Sequence, residues 1–243
     1  MRIIAHRGAS GYAPENTLAS FKKALEMGSK EIELDVQMTK DGQLVVIHDY
    51  FLERTTNGRG MIMSVDYDYI KNLDAGSWFG PEYKGEKVPL LSDVIDLCKE
   101  ENQRQKGESS IILHIEIKKT KLEKRPIEEK VLDLVNKKDY QEHVLFSSFQ
   151  HSCLKSLVAL QKVKIGVLMG SEMLQSTNYL KKNGILGYSI NQSAEFIDQV
   201  LVDEAHAAGL KVLSYTVNRK DLALYFQTLG VDGIFCNYPD LLE

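Results

Sequence analysis

Three carboxylates in strand-like segments are the first candidates for chemistry in this sequence. Glu33 and Asp35 lie two residues apart in one apolar segment, and Glu116 lies near the end of another. Because side chains alternate along a strand, residues two apart lie on the same face. Converging carboxylates repel one another unless a proton or a cation joins them. Oxygen ligands of this kind favour Mg²⁺ or Ca²⁺ over zinc, so the sequence predicts a site for one divalent cation.

Two histidines and two basic residues complete the candidate site. His6 and Arg7 end the first strand-like segment. Lys118 follows Glu116 by two residues, and His48 ends a short apolar segment. Arg7 and Lys118 supply fixed positive charge for an anion, and the guanidinium geometry of arginine suits phosphate. Together with a divalent cation, two histidines suit acid–base cleavage of a phosphodiester, in which one removes a proton from the nucleophile and the other protonates the leaving alkoxide.

A predicted hairpin explains how His48 reaches the carboxylates. Asp41-Gly42 lies between two apolar segments and is typical of a two-residue turn, after which the chain returns as Leu44–His48. Counting outward from that turn places Asp35 directly opposite His48, and opposite residues share a face. A slip of one residue would move His48 to the other face, so this prediction depends on the turn type.

Short β-branched segments alternate with amphipathic helical segments along the chain, which predicts an α/β fold. About eight such units in 243 residues are typical of a (β/α)₈ TIM barrel. A doubly wound open sheet is the alternative, but Gly8 and Gly11 do not form the glycine-rich phosphate-binding turn typical of it. Barrel enzymes hold their active sites at the carboxyl ends of the strands, where the polar pairs lie. The predicted strands are Arg2–His6, Glu31–Gln37, Ile111–Ile117, His143–Ser147, Lys164–Leu168, Leu186–Ile190, Lys211–Val217 and Gly233–Cys236.

One long segment interrupts the alternation after the hairpin. Tyr50–Val88 shows no sustained periodicity and contains five glycines. A stretch of this length inside a compact fold predicts an ordered insertion or lid rather than a plain loop. We therefore expect a single domain over residues 1–243, built as a barrel with a rim hairpin and a small insertion at about residues 50–88.

Composition excludes several classes of protein. Thirty Lys and Arg against thirty-four Asp and Glu give a net charge of -4, so we expect neither a nucleic-acid surface nor a stable membrane anchor. No apolar segment approaches the ~18 residues of a membrane-spanning helix, and the N-terminal segment lacks the apolar region of a signal peptide. The three cysteines lack the spacing of a zinc site or a disulfide framework. The expectation is a cytoplasmic protein, as a monomer or a homodimer.

Ten short motifs carry a family resemblance over nearly the whole chain. The first five are Ile4-Ala5-His6-Arg7-Gly8, Pro14-Glu15-Asn16-Thr17, Glu33-Leu34-Asp35-Val36, Thr39-Lys40-Asp41-Gly42 and Val46-Ile47-His48-Asp49. The next five are Arg54-Thr55-Thr56-Asn57-Gly58, Gly76-Ser77-Trp78, Pro89-Leu90-Leu91, Ile115-Glu116-Ile117-Lys118 and Asp232-Gly233-Ile234. In this order they resemble the glycerophosphodiester phosphodiesterase family. The combination is highly specific although each motif alone is weak.

The resemblance implies a fold, a reaction and a role for each candidate residue. It implies a barrel enzyme that uses a divalent cation to hydrolyse small-molecule glycerophosphodiesters to sn-glycerol 3-phosphate and an alcohol. The family mechanism is attack by the glycerol 2-hydroxyl group to give a cyclic phosphate that water opens; direct attack by water is the alternative that the residues alone leave open. The implied roles are proton acceptor for His6, proton donor for His48, metal ligands for Glu33, Asp35 and Glu116, and phosphate binding for Arg7 and Lys118.

Some positions depart from the family pattern and leave the substrate open. His114 stands where the family often has Asn, Tyr215 where it often has Trp, and Cys236-Asn237 where Thr-Asp is frequent. These departures concern substrate fit rather than the reaction. Two alternatives therefore accompany the main hypothesis. One is the same chemistry on lysophospholipids, and the other is a catalytically silent barrel that binds a phosphodiester.

Overall fold

The β-branched segments form nine strands in the computed structural model, which describes residues 1–104 and 110–243. Eight of these strands run parallel and close into a barrel, and the remaining one, β3, is antiparallel to β2. The predicted (β/α)₈ TIM barrel is confirmed. The strands are β1 (Arg2–Ala5), β2 (Glu31–Met38), β3 (Leu44–Val46), β4 (Ile112–Ile117), β5 (Val144–Ser148), β6 (Lys164–Met169), β7 (Ser189–Ser193), β8 (Lys211–Tyr215) and β9 (Gly233–Cys236).

The pairing of β2 with β4 brings the acidic pairs together. β1 closes the barrel by pairing with both β9 and β2, and β4 lies on the other side of β2. In this register Glu33 is opposite His114, and Asp35 is opposite Glu116. Because all three strands are parallel, their carboxyl ends meet at the same rim. Strand period and register therefore place Asp35 and Glu116 side by side at the mouth.

Amphipathic helices cover the outside of the barrel. Phe21, Leu154 and Phe226 are fully buried side chains that fix three of these helices against the sheet. The longest described helix has 14 residues, and none of the described helices is both long and apolar enough to span a bilayer. The helices are α1 (Leu18–Glu26), α2 (Tyr67–Ile70), α3 (Leu91–Arg104), α4 (Ile127–Lys137), α5 (His151–Leu160), α6 (Ser176–Asn183), α7 (Gln199–Ala207) and α8 (Lys220–Leu229).

The predicted register of the β2–β3 hairpin is wrong by one residue. Val36 pairs with Val46, so Asp35 lies opposite Ile47 and not opposite His48. The connection contains three residues, 40–42, because the Thr39 Oγ1 atom accepts a 2.8 Å hydrogen bond from the backbone N–H of Gln43. Three-residue hairpin loops of this kind end on a residue with positive φ, and Gly42 has φ of 85°.

His48 nevertheless reaches the barrel mouth, because the chain leaves the strand after Val46. The side-chain amide of Gln37 donates hydrogen bonds to the backbone carbonyls of Ile47, His48 and Asp49, at 3.0, 3.1 and 2.6 Å. Gln37 is buried within the β2–β3 ladder. One buried amide therefore holds the bend that turns the histidine towards the carboxylates.

The segment after the hairpin folds around a small apolar cluster of its own. Ile62, Ile70 and Leu73 pack with Val45 and Ile47 of the hairpin. Two short 3₁₀ turns, Ile62–Ser64 and Pro81–Tyr83, and the helix α2 supply its regular structure. The hydroxyl group of Tyr83 donates a 2.8 Å hydrogen bond to the backbone carbonyl of Tyr12. Residues 50–88 are thus anchored both to the hairpin and to the loop that follows β1.

That loop folds tightly over the start of α1. Gly8 has φ of 81°, and a Cβ atom at this position would lie 2.6 Å from the backbone carbonyl carbon of Ser20. The Ser20 hydroxyl group donates a 2.9 Å hydrogen bond to the carbonyl of Arg7. A side chain at position 8 would therefore move the loop that carries His6 and Arg7.

Gly8→Ala is expected to destabilise the protein by about 3 kcal/mol or more, because it combines a left-handed backbone with a backbone clash. Gly28 is the matched control, since it has φ of 83° and nothing within 4 Å of its ideal Cβ position. Gly28→Ala should cost only about 1 kcal/mol. Urea denaturation of both variants measures the difference, and equal losses would contradict the close packing of Gly8.

Candidate active site

Three buried carboxylates converge at the mouth of the barrel. Glu33, Asp35 and Glu116 each place a carboxylate oxygen so that the three atoms lie within 4.8 Å of one another. Their exposed fractions are 4%, 1% and 8%. Such a set of oxygen donors can hold a divalent cation. The structure thus brings together the three residues that the sequence singled out for this purpose.

Two cations partly neutralise this cluster. The Lys118 Nζ atom lies 3.1 Å from Asp35 Oδ1 and 2.5 Å from Glu116 Oε1. The Arg7 Nε atom lies 3.3 Å from Asp35 Oδ2, and the backbone N–H of Arg7 donates a 2.9 Å hydrogen bond to Glu33 Oε2. Arg7 has φ of 56°, which turns its N–H and its guanidinium towards the same cluster. Both predicted basic residues therefore contact the carboxylates.

The pKa values of the carboxyl groups differ because their partners differ. Burial and the charge of Asp35 raise the pKa of Glu33 well above its ordinary value. Burial also raises the pKa of Glu116, to about 7, despite the opposing charge of Lys118. Burial would raise the pKa of Asp35 as well, but Lys118 and Arg7 outweigh it and lower that pKa. Asp35 therefore ionises most readily, whereas Glu33 and Glu116 tend to retain a proton while no further positive charge is bound.

His6 lies beside this cluster as a partly buried, neutral imidazole. Burial, and next the charge of Arg7, lower the pKa of His6 to about 4. The Nδ1 atom is 2.8 Å from the side-chain oxygen of Asn237, and Nε2 is 4.0 Å from Glu33 Oε2. Because a carbonyl oxygen only accepts, this partner keeps the proton on Nδ1 and leaves the Nε2 lone pair free.

His48 is held by a carboxylate instead of an amide. Its Nδ1 atom donates to Asp49 Oδ1 at 2.6 Å. Arg54 binds Asp49 through Nε at 2.6 Å and also binds Glu15 through Nη2 at 2.7 Å. Glu15 in turn accepts a 2.8 Å hydrogen bond from Arg7. Charged groups of alternating sign thus connect His48 with Arg7 across the site. Burial lowers the pKa of His48.

Several residues of this arrangement were not predicted individually from the sequence. Asn16 donates a 2.8 Å hydrogen bond from its side chain to Asp35 Oδ2 and is itself buried. Asp49 and Arg54 occur in the motifs quoted above, which was the only signal available for them. Asn237 is 231 residues from the histidine that it contacts, and sequence spacing gives no sign of that contact.

His114 lies below the cluster rather than within it. Its Nε2 atom is 2.7 Å from Glu31 Oε2, and Glu31 also pairs with Arg2 at 3.0 Å. The ring meets Phe235 edge-on, with 5.5 Å between centroids. This departure from the family pattern therefore contributes to the filling of the barrel interior.

Two adjoining cavities open at the mouth. The inner cavity has a volume of about 140 Å³ and is bounded by His6, Arg7, Leu168, Tyr215 and Phe235 among others. The outer cavity has a volume of about 320 Å³ and is bounded by Tyr50, Phe51, Lys119 and Gln150 among others. The residues that border both are His48, Glu116, Lys118 and Phe149. His48, Glu116 and Lys118 thus lie where the two cavities meet, and His6, Arg7 and Glu33 lie on the side of the inner cavity.

A TIM barrel with histidines, basic residues and carboxylates at its mouth has the groups that an enzyme needs to act on an anionic substrate. Comparison with known proteins defines the class further. Residues 6–241 match the model of the glycerophosphoryl diester phosphodiesterase family. The chain belongs to that family, as its motifs predicted, and it is therefore a phosphoric diester hydrolase.

Individual relatives cover almost the whole chain. A glycerophosphodiester phosphodiesterase of Caldanaerobacter subterraneus subsp. tengcongensis is 37% identical over 241 residues, covering 99% of this chain and 95% of its own. One from Bacillus altitudinis is 38% identical over 240 residues, covering 98% and 95%. The structure of an Oleispira antarctica phosphodiesterase in complex with the product sn-glycerol-3-phosphate aligns with a TM-score of 0.86 at 34% identity, covering 98% of this chain and 94% of that one.

The raised pKa of Glu116 predicts that Glu116→Gln, measured in the presence of a chelator, changes the stability of the protein by an amount that depends on pH. Between pH 4.5 and 7 the folded carboxyl retains a proton that the unfolded chain has released, so this group makes the folded state less stable as pH rises. As pH rises across that window, the free energy of unfolding of Glu116→Gln should therefore increase, relative to that of wild type, by on the order of 2 kcal/mol.

The comparison is made with urea denaturation at several pH values. Taking the difference between variant and wild type cancels the opposing contribution of His6, whose lowered pKa favours the folded state as pH rises towards 6.5. A difference that is the same at pH 4.5 and pH 8 would contradict the raised pKa.

Proposed function

We propose that this protein hydrolyses glycerophosphodiesters to sn-glycerol 3-phosphate and an alcohol, with the help of one divalent cation, Mg²⁺ or Ca²⁺. The observation that supports this proposal is the meeting of two differently held histidines, two basic residues and three carboxylates around the inner cavity at the barrel mouth. The relatives named glycerophosphodiester phosphodiesterase and the product complex of the Oleispira antarctica enzyme support it. We place the whole activity in residues 1–243, as one domain.

The carboxylates fit a divalent cation. Glu33, Asp35 and Glu116 provide hard oxygen donors within 4.8 Å of one another, and there are three such carboxylates against the two cations Arg7 and Lys118 that contact them. These three side chains would hold the ion. When bound, it supplies positive charge that stabilises the developing charge on the phosphoryl group.

His6 accepts the proton of the nucleophile. The nucleophile is the glycerol 2-hydroxyl group, which gives a cyclic phosphate that water then opens, or water itself, which gives glycerol 3-phosphate directly. The pKa of about 4 keeps His6 neutral at pH 7, and its hydrogen bond to Asn237 leaves Nε2 as the accepting atom. A neutral imidazole is the form that a general base requires. The proton moves from the nucleophile to Nε2 as the new P–O bond forms.

His48 donates a proton to the leaving alkoxide. Asp49 accepts the hydrogen bond from Nδ1 and favours the imidazolium form of His48, whereas burial, and next the charge of Arg7, disfavour the imidazolium form of His6. Two histidines with partners of different charge are thereby separated into a base and an acid. The proton leaves Nε2 of His48 as the P–O bond to the alcohol breaks.

Arg7 and Lys118 bind the phosphoryl oxygens. Both lie at the border of the inner cavity, which the carboxylates also reach. Their side chains are held by Asp35, Glu116 and Glu15, so little reorganisation is needed when an anion binds. Fixed charges in a buried site stabilise a transition state more strongly than mobile ones.

The direct test is product analysis on glycerophosphocholine. Purified protein with Mg²⁺ or Ca²⁺ should release glycerol 3-phosphate and choline in equal amounts, and EDTA should stop the reaction. Lysophosphatidylcholine should be a poor substrate, because an acyl chain on the glycerol does not fit the inner cavity of about 140 Å³. Binding without turnover, or full activity in EDTA, would overturn the proposal.

The assignment of His48 as the acid predicts a dependence on the leaving group. His48→Ala should lower kcat for glycerophosphocholine by about 10²–10⁴-fold. With a 4-nitrophenyl diester of glycerol 3-phosphate the loss should fall below about tenfold, because nitrophenolate leaves without a proton. His6→Ala is the control, and it should lose similar factors on both substrates. Equal losses for His48→Ala on both substrates would contradict the assignment.

A further inference from the structure

Three aromatic side chains border the outer cavity and remain substantially exposed. Tyr50, Phe51 and Phe149 are 38%, 52% and 49% exposed. Clustered exposed aromatic surface at the edge of a cavity is typical of a ligand site. Their positions are fixed by their surroundings. An isolated antiparallel β-bridge with Met61 fixes the backbone of Phe51. Phe149 packs edge-on against Tyr215, with 5.8 Å between the ring centroids.

The outer cavity continues directly from the reacting groups. His48, Glu116, Lys118 and Phe149 border it and the inner cavity alike, whereas His6 borders only the inner one. In the function proposed above, His48 protonates the oxygen of the leaving alcohol. That oxygen must lie beside His48, so the rest of the alcohol extends into the outer cavity while the glycerol occupies the inner one.

The charged groups that border the outer cavity are already paired. Lys119 lies 2.7 Å from a Glu128 oxygen, and Asp49 is held by Arg54 and His48. Lys118 is bound by Asp35 and Glu116, as described above. Paired charges give the cavity little net attraction for either an acidic or a basic head group.

Two polar side chains of the wall already have hydrogen-bond partners. The Ser148 hydroxyl group donates a 2.8 Å hydrogen bond to the carbonyl of Ile117, and the Gln150 amide donates a 3.0 Å hydrogen bond to Ser152. A polyol that entered would therefore replace only part of the hydrogen bonds that it makes to water. The rings of Tyr50 and Phe51 provide apolar surface and a quadrupole that suit a weakly hydrated cation.

We propose that the outer cavity is a subsite for the leaving alcohol, and that it selects a bulky, weakly hydrated alcohol, of which choline is the simplest natural type, over polyols such as glycerol and inositol. This specificity rests on the proposed function, since it requires that His48 protonate the leaving alcohol when the diester is cleaved. Tyr50, Phe51 and Phe149 form the selective surface.

The experiment compares kcat/KM for glycerophosphocholine and glycerophosphoglycerol in wild type and in Phe51→Ala. Phe51 borders only the outer cavity and is half exposed, so its truncation leaves the fold intact, which thermal denaturation checks. Tyr225→Ala removes an aromatic ring of similar exposure, 54%, on α8 and serves as the control. A third diester carries 3,3-dimethylbutanol, the uncharged isostere of choline.

Wild type should prefer glycerophosphocholine and the dimethylbutanol diester over glycerophosphoglycerol. Phe51→Ala should lower the choline-to-glycerol ratio of kcat/KM by about three- to tenfold, and Tyr225→Ala should leave it unchanged. If wild type cleaves these diesters and Phe51→Ala keeps the wild-type ratio, the subsite is wrong and the proposed function stands. If wild type cleaves none of them, the proposed function itself fails, and the subsite fails with it.

Discussion

Mutual repulsion among three buried carboxylates is the constraint on which the rest of this site depends. Glu33, Asp35 and Glu116 are held within 4.8 Å of one another at the barrel mouth, where each is buried. Only positive charge or protons can stabilise such a cluster. Arg7 and Lys118 supply part of that charge, and burial together with the charge of neighbouring carboxylates raises the pKa values of Glu33 and Glu116. The cluster can therefore hold protons or, as proposed above, a divalent cation.

The same electrostatics tie the insertion to the barrel. Arg54, near the start of the insertion, binds both Glu15 of the loop after β1 and Asp49 beside His48. Glu15 also binds Arg7, and Asp49 also binds His48. The proposed phosphate-binding and proton-donating groups are thereby oriented by one guanidinium. Through Arg54, the insertion therefore contributes to the arrangement of the site.

The fold and the residues of the site follow from local sequence patterns, whereas their partners do not. Strand period and the rule that barrel sites lie at carboxyl strand ends were sufficient to predict where Glu33, Asp35 and Glu116 meet. The hairpin register failed because one Thr39 hydroxyl stabilises a longer turn. The seventh strand is Ser189–Ser193 rather than Leu186–Ile190, since the buried polar side chains of the barrel interior there hide the strand pattern. Neither the hydrogen bond in the turn nor the burial of polar side chains can be read from the spacing of residues.

Proton release on cation binding tests the central claim most directly. Chelator-stripped protein is titrated with Mg²⁺ or Ca²⁺ at pH 6 in two buffers of different ionisation enthalpy, by isothermal calorimetry. The raised pKa values of Glu33 and Glu116 predict saturable binding of one cation with release of protons at pH 6, and with less release at pH 9. Absence of saturable binding, or binding that is unchanged in Glu33→Gln, would contradict the account.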